Sequence, residues 1–295
     1  MTILIRPLET TAEFRAAEEL QRAVWPGSDL EVTPLHVLIT AAHNGGLVLG
    51  AFDGERLVGF VFGFLGTDAD SPNRPALARL KYCSHQLGVL SEYRDQDIGY
   101  RLKLAQRDFV IEQGVRLVTW TYDPLESRNA RLNIARLGAV CRTYLLEVYG
   151  PMHDGLNAGL ATDRFQVDWW VTSTRVKERL FGARLPLEVE SFTSAGADIL
   201  NPTSLDAVGL PRPTERPAST AGLLALIEIP PNFQMLKARD IGLARAWREH
   251  TRALFEATFE AGYLITDFFY ETWQGRPRSF YALSQGEQRL GHSEN

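Results

Sequence analysis

Val89-Leu-Ser-Glu-Tyr-Arg-Asp-Gln-Asp-Ile-Gly99 is the stretch whose reading decides the fold of this chain. A strand-like run ends at Leu90, a sharp polar turn follows, and helical spacing begins at Ile98 and closes at Gly114. The first turn of a helix carries backbone N–H groups without intrahelical acceptors, and the helix dipole adds positive charge there. Strand, polar turn and helix N-terminus in succession therefore make a ready site for a pyrophosphate.

Outward from that stretch, strand and helix patterns alternate. Thr2 to Pro7 reads as a short strand, and Thr11 to Trp25 as a helix that buries Phe14, Ala17, Leu20 and Val24. Leu35 to His43 is a second helix. Leu47 to Phe52 and Leu57 to Phe64 flank the hairpin signal Asp53-Gly54. Leu80 to Leu90 is the strand that feeds the turn. Ile98, Leu102, Ala105 and Phe109 then mark the buried face of the helix. Leu117 to Tyr122 is a further strand, Ser127 to Gly138 a helix, and Val140 to Val148 and Phe165 to Thr172 two more strands. Trp169 and Trp170 adjoin on the last of these and so face opposite sides.

Past Arg175 the pattern changes. Residues 184–222 are rich in Pro, Ser, Thr and Gly and read as a surface connector. Leu223 to Ile229, a helix from Asp240 to Ala261 with Leu243, Trp247, Leu254 and Thr258 on one face, Tyr263 to Tyr270 and Ser279 to Leu283 make a β-α-β segment. The tail from Ser284 reads as frayed. The division that follows is 1–174, a connector at 175–222, and a C-terminal segment at 223–295. Asp240-Ile-Gly242 echoes Asp97-Ile-Gly99, which raises the reading of a degenerate half-repeat beside that of coincidence.

With 45% hydrophobic and 23% charged residues the chain is globular, and a net charge of −5 argues against a broad nucleic-acid surface. No apolar run is long enough for a membrane span, and no signal sequence is visible, so a cytoplasmic location is the expectation. Cys83 and Cys141 have no metal spacing and read as small buried apolar residues.

Tyr93 to Gly99 resembles the acyl-CoA loop of the GNAT acyltransferase superfamily. The family pattern Arg/Gln-x-x-Gly-x-Gly/Ala runs here as Arg94-Asp95-Gln96-Asp97-Ile98-Gly99, with Asp97 in place of the first glycine. The order of elements over residues 1–174 is also similar to the GNAT order. The implied fold class is α/β, a mixed sheet with helices on both faces and a C-terminal β-α-β extension. The implied activity is acyl-CoA-dependent N-acyl transfer by direct attack in a ternary complex. Acetyl-CoA or another acyl-CoA, such as succinyl-CoA, would be co-substrate, a small-molecule amine the acceptor, and no metal is involved. A non-catalytic acyl-CoA-binding or regulatory protein is the alternative reading, and a homodimer through the C-terminal segment stays open.

Carried over residue by residue, the resemblance implies that the backbone of Gly88, Val89 and Leu90 pairs with the pantetheine arm. Amides from Arg94 through Asp95, Gln96, Asp97, Ile98 and Gly99 would hold the phosphates, with Arg94 as a direct cation. Asp97 brings a carboxylate to that place and resists a left-handed backbone; Arg94, Arg101 or Lys103 is the compensating cation. His85, placed on a strand face with Leu87, stands where many family members have a base, and an imidazole with an ordinary pKa of roughly 6.5 suits that role. A structural histidine is the competing reading, and Ser84 and Glu92 are weaker alternatives. Ile134 occupies the position of the family tyrosine, which leaves the general acid unassigned. Asn129 and Asn133, four apart on one helical face, would contact the CoA arm or order a water. Asp123-Pro-Leu-x-Ser-Arg-Asn-Ala and Asn157-Ala-Gly-Leu-x-x-Asp-Arg164 resemble a bacterial acetyltransferase subgroup, which points to amino-acid acceptors. Arg128 or Arg164 would then hold a carboxylate.

Overall fold

The computed structural model describes residues 2–27, 29–69, 72–152, 154–155, 157–182 and 187–286. They form two compact units, one of the described residues within 1–120 and 153–158, the other of those within 121–152 and 159–295. The chain opens with β1 (Ile3–Pro7), α1 (Thr11–Val24), α2 (Leu35–His43), β2 (Leu47–Asp53), β3 (Arg56–Thr67), β4 (Leu80–Val89), α3 (Ile98–Glu112) and β5 (Leu117–Tyr122). That is the order implied by the acyltransferase resemblance.

In the first unit, Thr10 starts α1 with a capping box: its hydroxyl accepts from the Glu13 N–H and the Glu13 carboxylate accepts from the Thr10 N–H. The helix buries Phe14, Ala17 and Leu20 against Phe52, Phe60 and Phe62 of the sheet. β2 and β3 meet through a tight turn in which Gly54 takes φ +61°, as the Asp-Gly signal requires. β3 and β4 pair antiparallel with one irregularity. Phe62 lies opposite Gln86 and Gly63 opposite Ser84, so His85 is an extra residue that bulges out of β4. Gly63 is needed there, because a Cβ would meet the Tyr82 ring at 2.4 Å and the Cys83 carbonyl at 2.6 Å.

The helix α3 departs from its apolar spacing. Ile98 and Leu102 are buried as expected, but Ala105 and Phe109 are only half-buried. Lys103, Gln106 and Val110 take the inner face instead. Cys83 is likewise half-buried rather than buried, whereas Cys141 is fully enclosed.

The chain continues with α4 (Ser127–Ala130), β6 (Val140–Leu145), β7 (Arg164–Trp170), α5 (Thr174–Phe181), α6 (Val189–Ser194), β8 (Asp198–Ile199), β9 (Ser204–Leu205) and β10 (Pro211–Arg212). It closes with β11 (Leu224–Ile229), α7 (Phe233–Arg239), α8 (Ile241–Glu260), β12 (Tyr263–Trp273) and β13 (Arg276–Gln285). In the second unit these strands lie in the order β7-β6-β12-β13-β11-β8, and of the pairings between them only β8 with β11 is parallel. A cluster of Phe165, Phe255 and Tyr281, with ring centroids 4.7–5.5 Å apart, joins α8 to the sheet.

Several expectations are corrected here. The stretch read as a connector holds α6, the β9–β10 pair, and β8, which extends the sheet at β11. Residues 184–186 lie outside the described residues. The two strands read at 263–270 and 279–283 are arms of one longer hairpin that turns at Gln274-Gly275, with φ +52° and +79°. Glutamine seldom adopts that conformation, so no turn signal marked it. Ser284 and Gln285 belong to β13; the rest of the tail, from residue 287, lies outside the described residues.

Ser127 to Gly138 is α-helical only as far as Ala130; Arg131–Arg136 follow as a π-helical stretch. Trp169 is buried, with its indole N–H on the Leu137 carbonyl at 2.8 Å, while Trp170 is half-buried, as alternation requires. The two Asp-Ile-Gly runs also differ. Asp240 caps α8 with its carboxylate on the Leu243 N–H at 2.8 Å, whereas Asp97 makes no such side-chain cap and sits at φ +59°.

Candidate functional site

The bulge determines what β4 presents. Ser84 faces α3, where its hydroxyl meets Lys103 and Gln106. Leu87 also faces α3, within reach of Gly99. Between them His85 and Gln86 both turn to the other side, His85 against the Phe62 and Phe64 rings and Gln86 onto Gln21 of α1. His85 therefore does not share a face with Leu87, since the extra residue breaks the alternation. The imidazole is exposed at the surface, yet the two phenyl rings remove water from its flank. That desolvation lowers its pKa from the ordinary value.

Backbone direction can be read from one hydrogen bond. The Leu90 N–H donates to the Val58 carbonyl at 2.9 Å, across the Gly59–Val89 pair. In an antiparallel ladder alternate residues turn their N–H and C=O to the same neighbour. Gly88 and Leu90 thus bond toward β3, while Leu87 and Val89 direct theirs to the opposite edge. On that edge β4 pairs with β5 only at Tyr82–Val118 and Cys83–Thr119. Of Gly88, Val89 and Leu90, Val89 alone offers backbone groups to an extended ligand arm; Leu87 joins it.

The turn after β4 is tied down by Tyr93, buried, whose hydroxyl donates to Asp53 at 2.8 Å. Glu92 is exposed and paired with Arg56 at 2.7 Å. Asp95 and Asp97 both take positive φ, +65° and +59°. Aspartate tolerates this region better than most residues, which explains how it stands at the family's glycine position. A left-handed residue leading straight into a helix turns successive N–H groups into one concavity, a backbone nest suited to anions. The Arg101 N–H is the first to find a helical acceptor, the Asp97 carbonyl. Ile98 and Gly99 precede it and open the helix. Arg94 and Gln96 are exposed at the rim.

The cations named as partners for Asp97 divide. Arg101 donates to the Ile3 carbonyl at 2.7 Å. Lys103 is not available: its ammonium is buried, donating to Ser84 Oγ at 2.6 Å and Gln106 Oε1 at 3.3 Å, 3.6 Å over the Trp120 ring. Burial pushes this amine down to about 7. Arg94 is left as the rim cation.

The remaining residues belong to the second unit. Arg128 and Asn129 are exposed and Asn133 is buried. The two asparagines do not present one surface, because the π-helical stretch between them changes the angular step. Ile134 is fully buried. Arg164 begins β7 and is buried; its Nη1 donates to the Asp163 carbonyl at 2.8 Å and lies 3.8 Å from Asp123.

The reading of the sequence took Lys103 for a cation beside Asp97 and passed over Arg248, and the structure buries both. Both stand on buried helix faces, Lys103 seven residues before Val110, and Arg248 four after Ala244 and seven before Phe255. A charged residue inside an apolar period was the signal. Among the described residues no group of three His, Cys, Asp or Glu could hold a metal, and no helix is long and apolar enough to cross a membrane.

No protein-family model matches the chain, and no curated protein matches it. Among solved structures it is similar to the NatC complex bound to Gag peptide and CoA, at 16% identity and TM-score 0.46, over 58% of this chain and 100% of that one. It is also similar to NAA60 of Arabidopsis thaliana in complex with acetyl-CoA, at 18% identity and TM-score 0.46, over 57% and 99%. A third is an acetyltransferase of the GNAT family from Desulfovibrio desulfuricans, at 14% identity and TM-score 0.44, over 58% and 100%.

Proposed function

We propose that the chain is an acyl-CoA-dependent N-acyltransferase acting on the amine of a small molecule, with acetyl or succinyl as the acyl group and amino acids among the acceptors. The observation that carries this reading is the continuous run from the open edge of β4 at Leu87 and Val89, through left-handed Asp97, into the first-turn amides of α3. That run offers an extended arm a strand edge and a pyrophosphate a nest. The acyl-CoA supplies an activated thioester carbonyl. His85 takes a proton from the acceptor ammonium, and the freed amine nitrogen bonds to that carbonyl carbon. The C–S bond breaks, CoA leaves as thiolate, and the nitrogen gives up its second proton to water as the amide forms. Ile134 is enclosed at the position of the family acid, so the thiolate takes its proton from water. A thiol pKa of about 8.5 allows this.

Titration calorimetry with CoA, acetyl-CoA and succinyl-CoA tests binding, and acceptor-dependent CoA release over an amine library tests transfer. Saturable binding without release under any amine would favour the non-catalytic reading; absence of binding would remove both. Within this reading Arg94→Ala is expected to weaken CoA about tenfold or more, the loss of one charge-assisted contact of about 1.5–3 kcal/mol. Asp97→Gly is expected to tighten it about fivefold, since an exposed carboxylate near phosphate costs about 1 kcal/mol. Unchanged affinity in both variants would put the pyrophosphate elsewhere.

A further inference from the structure

We infer that the imidazole of His250 is a pH-sensitive latch, which holds residues 200–218 of the second unit on α8 and lets them go when it is protonated. The inference stands apart from the acyl-transfer reading. Residues 200–218 include β9 and β10 and form a strap. On α8 the strap meets Trp247, whose indole N–H donates to the Pro211 carbonyl at 2.8 Å. It also meets His250, whose Nε2 lies 3.2 Å from Asn201 Nδ2.

Asn201 settles the roles in the second contact. Its Oδ1 accepts from the Glu228 N–H at 2.7 Å, and its Nδ2 donates to the Glu228 carbonyl at 2.9 Å. A backbone N–H only donates and a backbone carbonyl only accepts, so the carboxamide has one orientation. Nδ2 keeps its other hydrogen for His250. Nε2 is therefore the accepting nitrogen, and the ring proton sits on Nδ1. Protonation places an N–H on Nε2 as well, and the bond becomes a meeting of two donors. Asn201 is fully buried and cannot turn over without losing both bonds to Glu228. Either the ring, half-buried and edge-on to Trp247 at 5.9 Å, swings out, or the strap lifts.

The charged groups of the surrounding elements are already engaged or exposed. On β11 the Glu228 carboxylate accepts from Arg278 at 2.8 Å and from Thr203 at 2.7 Å, and Arg276 lies 3.5 Å from it. In the strap Asp206 bonds Arg212 at 3.2 Å, and Glu215 and Arg216 are exposed. On α8 the residues a turn away from His250, which are Ala246, Trp247, Ala253 and Leu254, carry no charge, and Glu249 is exposed. Burial lowers the imidazole pKa from its ordinary value, in keeping with the donor it faces.

The closed strap binds this proton less well than the open one, so opening becomes easier as pH falls below the ordinary value of roughly 6.5. Hydrogen exchange of the full chain, corrected for the intrinsic rate at each pH, reads opening in peptides from residues 200–218. Between about pH 7.5 and about pH 5 it should rise about fivefold or more in the wild type. In His250→Gln the side-chain oxygen accepts from Asn201 at either pH, and the rise should vanish. The assigned ring signal of His250 in the wild type, which requires no variant, should titrate below about 6.5 in NMR. A titration at or above that value would overturn the latch. So would absence of a rise in the wild type, equal rises in wild type and His250→Gln, or a rise spread evenly over the whole chain.

Discussion

Replacing Lys103 by methionine is expected to stabilise the protein most below pH 7, with the gain fading as pH rises toward 10. The folded chain holds this amine at about 7, against an ordinary 10.5, because burial penalises its charged form. Below pH 7 it is protonated in both folded and unfolded chains, and folding carries the whole penalty. Between about 7 and 10.5 the unfolded chain binds more protons, so wild-type stability rises with pH through that window. The gap corresponds to about 5 kcal/mol. Methionine keeps the apolar stem on Trp120 and gives up two hydrogen bonds, each worth about 0.5–1.5 kcal/mol. Ser84 retains Gln106 as its acceptor at 2.7 Å. The net gain should then be about 2–4 kcal/mol at pH 6.5 and near zero or negative at pH 10. Tyr82, whose pKa burial raises, titrates alike in the two proteins and cancels in the difference, whereas Cys83 loses the lowering effect of the Lys103 charge in the variant. Urea unfolding at the two pH values measures this; an equal difference at both would mean that Lys103 keeps its ordinary pKa.

Alanine at His85 is expected to slow acyl transfer about 10²–10⁴-fold at saturating acyl-CoA and to leave CoA affinity unchanged, the usual effect of losing a general base. Desolvation lowers the imidazole pKa, so the neutral, proton-accepting form prevails at pH 7. The wild-type rate should therefore be level above roughly pH 6.5 and decline only in more acid solution. That acid limb should vanish in the variant. A merely structural histidine would give a different result: its contacts with Phe62 and Phe64 would be lost at about 0.5–1.5 kcal/mol of stability, with turnover and pH profile intact.

The parts that were legible in the sequence are those governed by local rules. The β2–β3 hairpin followed from Asp53-Gly54, the buried face of α1 from Phe14, Ala17 and Leu20, and the strand–turn–helix from Val89 to Gly99. The Gln274-Gly275 hairpin and the short strand β8 were not legible. One uses a residue with little preference for its conformation, and the other, only Asp198–Ile199, exists because β11 has an edge to offer. His85 was named from its place on a strand, but its direction was not legible, because a bulge depends on how β3 and β4 come into register.

Taken alone, the sequence determined the order of elements over residues 1–174 and the place of the turn, both of which depend on neighbours a few positions apart. Only the tertiary structure decided which face His85 and Gln86 take, that Val89 rather than Gly88 or Leu90 directs its backbone outward, and that Lys103 and Arg248 point inward. Each of these turns on strand register, or on what a distant segment places against a helix. A charged side chain on an amphipathic helix reads as solvated until Trp120 and Ser84, or Asp123, lie against it. Burial, and with it the pKa and the binding potential of such a group, belongs to the packed chain and not to its spacing.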